Sequence, residues 1–475
     1  MDTIASTKPP SSAQRDGSDR QIIDVSAIVE EQTIGWFAVK LMGLVFAAML
    51  FAGFDFAGIS FVVPYLVKAW QVPPSVFGSA FGIGLFGMML GSLFFGYVGD
   101  KVGRKSTLIV GCWLFGVFTL ASAWAESVPV LAIERFVAGV GFYAVIPNGI
   151  VLVSEFAPKR LKATWAVIAF IGFSVGTAIA GFVAAVVIPA YSWQSMFVIG
   201  GIGPLLVSFF IISMLSESAR FLALKKERWG RLGTIVAAMK PGTIVAADAQ
   251  FTVRQEANQD TAFTPKLLFE GPLLLMTPLA WLFYIFNSMA VFFMTSWLPV
   301  LIQSVGLTPT QAALSTGVYG AGGIAGGLLA GWLIDHYGML LIAIIPTIGA
   351  VVSALLGYST SEIALMVTAF MSGFFVVGTQ NAIMTITPTI YPTSFRAKGQ
   401  GTAIAVAKIG AIAGPVIGGH LMAAHVPASE LFYAASLTVL VGAVFAYPFA
   451  FLYLRNFGIP GEEMRRPHPA VDRRR

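Results

Sequence analysis

Three ionisable residues, Asp55, Arg135 and Lys408, stand inside long apolar runs of a 475-residue chain. A charge in hydrocarbon costs ~2.5–3.5 kcal/mol on insertion scales, so each needs a partner or a task. Asp55 lies about nine residues before Pro64, and Arg135 about six residues into its own run, which is ~9 Å of helix for Arg135. Both therefore sit at a similar depth below the same face and are able to pair. Burial favours the neutral acid, whereas a neighbouring guanidinium favours the carboxylate. A carboxyl held between these influences can take up and release a proton; a permanently ionised pair would instead be structural. Lys408 is about ten residues into its run, ~15 Å from the opposite face and near mid-membrane. Its ammonium suits a carboxylate ligand, or it pairs with another side chain. Tyr284, Asn287 and Met294 share an aromatic-rich run with Trp281, Phe283, Phe286, Phe292, Phe293 and Trp297, and are placed to line a cavity for a planar ring; such aromatics also serve as packing or lipid-facing residues. Gln380 and Asn381 are amides in an apolar run, suited to lining a cavity or to bonding between helices. Asp55 and Arg135 are thus expected to couple protons. Arg135, Lys408, Tyr284, Asn287, Gln380 and Asn381 are expected to bind substrate. His420 reads as a satisfied or interfacial histidine, and Glu134, pointing about 100° away from Arg135, is assigned no role.

The elements that must hold these residues follow from composition. Hydrophobic residues make up 57 % of the chain and charged residues 11 %, against roughly 25 % charged in a soluble protein. With a mean hydropathy of +0.81, most of the chain must be solvated by lipid. Twelve apolar spans are expected, at roughly 39–67, 75–98, 106–125, 129–154, 163–189, 194–215, 272–302, 310–334, 338–358, 362–390, 399–424 and 429–454. Only helices and closed barrels satisfy every backbone group in lipid, and period-2 alternation is missing, so the spans read as helices. The implied layout is a polar tail (1–35), six helices (36–215), a polar linker (216–271), six more helices (272–455) and a second tail (456–475). If the N-terminus is cytoplasmic, Lys101, Arg104, Lys105, Lys159, Arg160, Lys162, the linker's cations, Arg396 and Lys398 all fall inside, while Lys68 falls outside. That asymmetry follows the positive-inside rule and accounts for the net charge of +6 without nucleic acid. A single cysteine, Cys112, cannot form an internal disulfide. The absence of a P-loop and of a His-Glu-x-x-His motif argues against ATP-driven transport and zinc hydrolysis. No enzymatic activity, cofactor or metal is expected, and no leader peptide.

A repeat joins the halves. Gly96-Tyr-Val-Gly-Asp100-Lys-Val-Gly103 and Gly331-Trp-Leu-Ile-Asp335-His-Tyr-Gly338 share a Gly-x3-Asp-x2-Gly spacing, and Gly176-Thr-Ala-Ile-Ala is matched by Gly410-Ala-Ile-Ala, both offset by about 235 residues. A parallel repeat implies two bundles around a central cavity. Gly96-Tyr-Val-Gly-Asp100-Lys-Val-Gly103-Arg104-Lys105 resembles the helix 2–3 loop signature of the major facilitator superfamily, and Arg135-Phe-Val-Ala-Gly139-Val-Gly141 resembles its Arg-x3-Gly-x-Gly pattern. The resemblance implies an all-α membrane protein of twelve transmembrane helices in two pseudo-symmetric six-helix bundles, the major facilitator fold. It also implies a conformational latch at Gly96, Asp100, Gly103, Arg104 and Arg160.

Within that superfamily the chain resembles the aromatic acid:proton symporters. The shared residues are Gly53-Phe54-Asp55, Pro147-Asn148, Ser154-Glu155-Phe-Ala-Pro158-x-Arg160 and Tyr391-Pro-Thr-Ser-Phe-Arg396-Ala. It departs where Ala52 replaces an aspartate and where Ala407-Lys408 replaces Gly-Arg. The run Gly414-Pro415-Val-Ile-Gly418-Gly419 lies in helix 11, whereas twelve-helix drug antiporters carry such a run in helix 5. The resemblance implies a secondary transporter that imports a small organic anion, an aromatic carboxylate, with protons by alternating access. Its partners would be that anion, protons and the lipid bilayer, with a monomer sufficient, in a bacterial inner membrane with both termini cytoplasmic. A proton-coupled drug or metabolite exporter and a facilitative carrier of non-aromatic acids are the alternatives.

Overall fold

The computed structural model describes residues 13–15, 21–32, 35–240, 245–246, 249–252, 264–359, 361–392 and 394–457. Eleven helices are long and apolar enough to cross a membrane, and a twelfth is shorter, among the described residues. In chain order they are α1 (Trp36–Trp70), α2 (Phe77–Val102), α3 (Arg104–Ala121), α4 (Val128–Glu155), α5 (Lys162–Ala190), α6 (Gln194–Met214), α7 (Leu273–Ser304), α8 (Pro309–Tyr337), α9 (Leu341–Leu356), α10 (Glu362–Ile386), α11 (Arg396–Ala423) and α12 (Ala428–Phe457). Every expected span is present. The one that contracts most is α9, 16 residues or ~24 Å long, against the 21 residues expected from hydropathy. The helices alternate in direction. One end of the stack carries the long connection between α6 and α7, here the linker end; the other is the far end.

The helices form two pseudo-symmetric six-helix bundles, and glycine contacts recur in register between them. A methyl group on Gly91 of α2 would meet the Val140 carbonyl of α4 at 2.3 Å, and one on Gly326 of α8 would meet the Phe374 carbonyl of α10 at 1.9 Å. Likewise Gly176 presses α5 on the Leu50 carbonyl of α1, and Gly410 presses α11 on the Ile285 carbonyl of α7, both at 1.9 Å. In lipid, association rests on such close packing, because tails offer no hydrophobic drive between helices. The repeated Gly-x3-Asp-x2-Gly segments also end alike, with Gly103 at φ 115° and Gly338 at φ 98°. Only glycine adopts this geometry without strain, and it turns the chain directly from one helix into the next.

Between the bundles, close approaches lie in the far half. Gly181 of α5 meets Gly317 of α8 with 2.6 Å left for a Cβ, and Gly78 of α2 meets the Pro415 carbonyl and Gly419 of α11 with 3.0 Å and 3.1 Å. The Phe81 and Trp297 rings meet edge-on at 5.2 Å in the same half.

The linker is more than a polar connection. It contains the helices Ala219–Ala223 and Trp229–Met239 and a strand, β3 (Gln250–Thr252). That strand pairs in parallel with β2 (Gln21–Asp24) of the N-terminal tail, which pairs antiparallel with β1 (Ala13–Arg15). Leu232, Ile235, Val236 and Met239 fall on one helical face and are buried together with Ile23, Val25 and Ile28. A Lys240–Glu31 ion pair at 2.7 Å joins tail and linker, and the Gln32 amide donates to the Phe156 carbonyl beyond α4. The second tail beyond residue 457 lies outside the described residues.

Candidate functional site

Two buried cations organise the interior, one in each bundle. The first is Arg135, one helical turn before Gly139. A methyl on Gly139 would meet the Gly84 carbonyl of α2 at 2.4 Å, and one on Gly141 would meet Leu114 of α3 at 2.5 Å. The Arg-x3-Gly-x-Gly pattern therefore wedges α4 between α2 and α3 and holds the arginine against its partners. On α1, Gly53 leaves no room for a methyl beside the Phe173 carbonyl of α5, at 1.9 Å, which fixes the neighbouring Asp55 inward.

The guanidinium and the carboxylate meet. Arg135 Nη1 donates to Asp55 Oδ1 at 2.9 Å, with side-chain exposures of 7 % and 6 %. Thr119 of α3 donates to the same carboxylate oxygen at 2.9 Å and accepts from Arg135 Nη2 at 2.9 Å, while Ser122 accepts from Nη2 at 3.1 Å. The Phe197 ring of α6 lies 5.3 Å from the guanidinium carbon. Arg135 Nε has no partner among the described residues. In this environment removing either charge strands the other. A cavity of about 520 Å³, counted to its open mouth, adjoins the pair; Phe56, Phe81, Phe142, Thr295 and Ser296 are among its walls. Next along α4, Glu134 is half-buried, and its Oε2 is buried without a partner among the described residues.

The second cation is Lys408, 8 % exposed, midway along α11. Its ammonium donates to the hydroxyl of Tyr143, which belongs to α4 of the other bundle. It lies 4.2 Å from the centre of the Tyr143 ring and 5.8 Å from that of Phe292 on α7. No carboxylate forms an ion pair with Lys408 among the described residues. Rings link the two centres. Phe56 of α1 meets Phe292 edge-on at 5.6 Å and Phe142 at 6.2 Å. Tyr284, Ser288, Phe292 and Ser296 repeat every four residues on α7 and so share one stripe.

The other expected residues divide. Tyr284 is buried on the same α7 stripe as Phe292. Asn287 donates to Gln380 Oε1 at 2.7 Å, and Gln380 donates to Ser288 at 2.8 Å, so these amides tie α7 to α10. The Asn287 carbonyl oxygen is buried and keeps no partner among the described residues. Gln380 and Asn381 are half-buried rather than buried, and the Asn381 amide packs against Gly327 of α8, apart from the amide pair. At the linker end, Asp100 accepts from Arg104, whose Nη1 also donates to Asn148 at 2.9 Å. Asn148 in turn donates to the Phe95 and Ala144 carbonyls at 3.2 Å and 2.9 Å. Asp100 remains 68 % exposed. Gly103 has no space for a side chain, because Glu217 Oε2 stands 2.4 Å from where a Cβ would be. That Glu217 caps the start of α3, accepting from the backbone N–H of Lys105 at 2.9 Å. Gly96 faces open space, and Arg160 is exposed on the single 3-10 turn Lys159–Leu161.

Four of these residues carry no signal in the sequence. Tyr143 carries no motif signal in a glycine-rich helix, Glu217 sits beyond the end of α6, and the hydroxyls of Thr119 and Ser122 lie in an ordinary apolar run. Gly172-Phe-Ser174-Val-Gly176 has the spacing of a hydrolase nucleophile elbow, yet it lies mid-helix in α5, without the strand-to-helix turn that such chemistry needs.

The sequence profile of the Major Facilitator Superfamily matches residues 45–344 and 280–472. The chain belongs to the major facilitator superfamily. It is a multi-pass membrane transporter and not an enzyme. It is 32 % identical over 411 residues to the 4-hydroxybenzoate transporter PcaK of Pseudomonas putida, covering 86 % of this chain and 92 % of that protein. It is also 32 % identical over 427 residues to a gallate transporter of Pseudomonas putida, covering 88 % and 94 %. Among solved structures, a D-xylose-proton symporter superposes with a TM-score of 0.66 at 17 % identity, covering 87 % of this chain and 98 % of that one, a likeness of fold.

Proposed function

We propose that this chain imports an aromatic carboxylate by proton symport, with Lys408 as the anion site and the Asp55–Arg135 pair as the proton site. One observation carries the reading. Arg135 is neutralised by Asp55, but Lys408, equally buried near mid-membrane, has no carboxylate among the described residues. A buried ammonium without a counter-ion is costly, and an anionic cargo supplies one. Rings of Tyr143 and Phe292 flank the cation, Phe56 and Phe142 continue the ring cluster from Phe292, and together they give a planar acid faces to stack on. The relatives carry the names of 4-hydroxybenzoate and gallate transporters, both aromatic carboxylates.

With the cation-rich linker end in the cytoplasm of a bacterial inner membrane, the far half, where the bundles pack closely, is the outer side. Protonation of Asp55 removes the charge that holds Arg135 and lets the guanidinium draw the anion inward. Lys408 then takes the carboxylate at mid-membrane. Loss of the proton to the cytoplasm restores the ion pair, and the anion leaves. The bundles rock about this site as a monomer. The Asp100–Arg104–Asn148 cluster, with Gly103 in its turn, forms the latch between conformations together with Gly96 and Arg160.

The test is uptake into proteoliposomes with an inside-alkaline gradient, using labelled 4-hydroxybenzoate, gallate, benzoate and a non-aromatic acid. Accumulation of an aromatic acid, abolished by collapsing the gradient, is the expected result. Equilibration without accumulation would make the protein a facilitative carrier; accumulation only under the opposite gradient would make it an exporter. Either outcome contradicts the proposal.

A further inference from the structure

We infer that Tyr143 donates the second hydrogen bond to the substrate carboxylate, so that a two-donor anion site is built across the two bundles, phenol from α4 and ammonium from α11. The inference rests on the reading of Lys408 as the anion site. An ammonium carries three donors and no acceptor, and a phenol both donates and accepts. In the Lys408–Tyr143 contact the ammonium must donate, so the phenol oxygen is spent as acceptor and its O–H hydrogen remains available. No acceptor takes that hydrogen among the described residues. Two donors of Lys408 are likewise uncommitted, because its one hydrogen bond is to Tyr143.

A carboxylate presents two oxygens, and the pair presents two kinds of donor at one point, one charged and one neutral. One oxygen takes the ammonium and the other takes the phenol O–H. The half-buried Tyr143 ring, 4.2 Å from the ammonium, and the Phe292 ring, 5.8 Å away, then flank the head of the ligand. Since Tyr143 and Lys408 belong to opposite bundles, the bound carboxylate bridges them. Substrate recognition is thereby tied to a conformation in which α4 and α11 stand close, and the ligand class is an organic anion with a carboxylate head.

The experiment is equilibrium binding of 4-hydroxybenzoate to purified wild-type protein, Tyr143→Phe and Lys408→Gln. Tyr143→Phe keeps the ring and loses only the hydroxyl; thermal unfolding of each variant verifies that it is folded, and Tyr143→His serves as a second variant that retains a donor. Tyr143→Phe is expected to weaken binding about 10-fold or more, the effect of deleting a hydrogen bond to a charged group, and Tyr143→His to recover part of the loss. If Lys408→Gln weakens binding while Tyr143→Phe leaves it unchanged or tightens it, the phenol merely solvates the lysine and the inference is overturned. If Lys408→Gln leaves binding unchanged, the reading of the anion site itself falls.

Discussion

Arg135 and Lys408 are both buried cations inside membrane-spanning helices, yet their surroundings differ in kind. Arg135 is held by a carboxylate from α1 and by the hydroxyls of Thr119 on α3 and Ser122 just beyond it, all within its own bundle. Lys408 reaches across to the Tyr143 phenol and ring and lies near the Phe292 ring of its own bundle, with no carboxylate among the described residues. The first environment is closed electrostatically and can be opened only by neutralising a partner, which is what a proton does. The second has no counter-ion among the described residues, and on the proposed reading an anion supplies it. The contrast teaches that burial alone does not say what a membrane charge is for; the sign and ownership of its partners do.

The largest expected effect breaks the closed side. Arg135→Ala would leave Asp55 ionised and unpaired, and removing one member of a buried pair costs about 3–5 kcal/mol. A clear fall in thermal unfolding temperature in detergent is expected, with partial recovery in the Asp55→Asn/Arg135→Ala double variant. Wild-type stability would show that the pair is not a mutual constraint.

Next is the open side. Lys408→Gln should weaken carboxylate binding roughly 10- to 100-fold, as expected for a charged hydrogen bond of about 1.5–3 kcal/mol, with little change in unfolding temperature. Lys408→Arg, which keeps the charge, should stay within about 3-fold, since a guanidinium also accepts a carboxylate. A larger loss with arginine than with glutamine would contradict an electrostatic role.

Smaller effects sharpen the comparison. Ser122→Ala removes one neutral acceptor from Arg135 and should cost about 1 kcal/mol of stability without altering affinity. Phe292→Leu removes a ring 5.8 Å from Lys408 and should cost about 0.5–1 kcal/mol of binding without altering stability. Crossed outcomes, with affinity moving in the first and stability in the second, would merge the two centres into one.

Much of this arrangement was legible in the chain. Hydropathy gave the spans, and the cost of charge in lipid singled out Asp55, Arg135 and Lys408. Counting residues from the helix ends brought Asp55 and Arg135 to one depth, and the ion pair lies there. Tyr143 was not legible, because a tyrosine in a membrane helix is ordinary and its partner is 265 residues away. The tail–linker sheet was hidden for another reason: its strands are three or four residues long, too short for alternation to register. A motif groups Arg160 with Asp100, and the turn Lys159–Leu161 leaves Arg160 exposed; the Arg104 contact to Asn148, which projects from inside α4, carries no motif spacing.

The most direct test of the division of labour is a paired transport assay in proteoliposomes, with Asp55→Asn and Lys408→Gln measured for gradient-driven accumulation and for counterflow of 4-hydroxybenzoate. The account predicts that Asp55→Asn loses accumulation but keeps counterflow, whereas Lys408→Gln loses both at low substrate concentration. Undiminished accumulation in Asp55→Asn, or undiminished counterflow in Lys408→Gln, would contradict it.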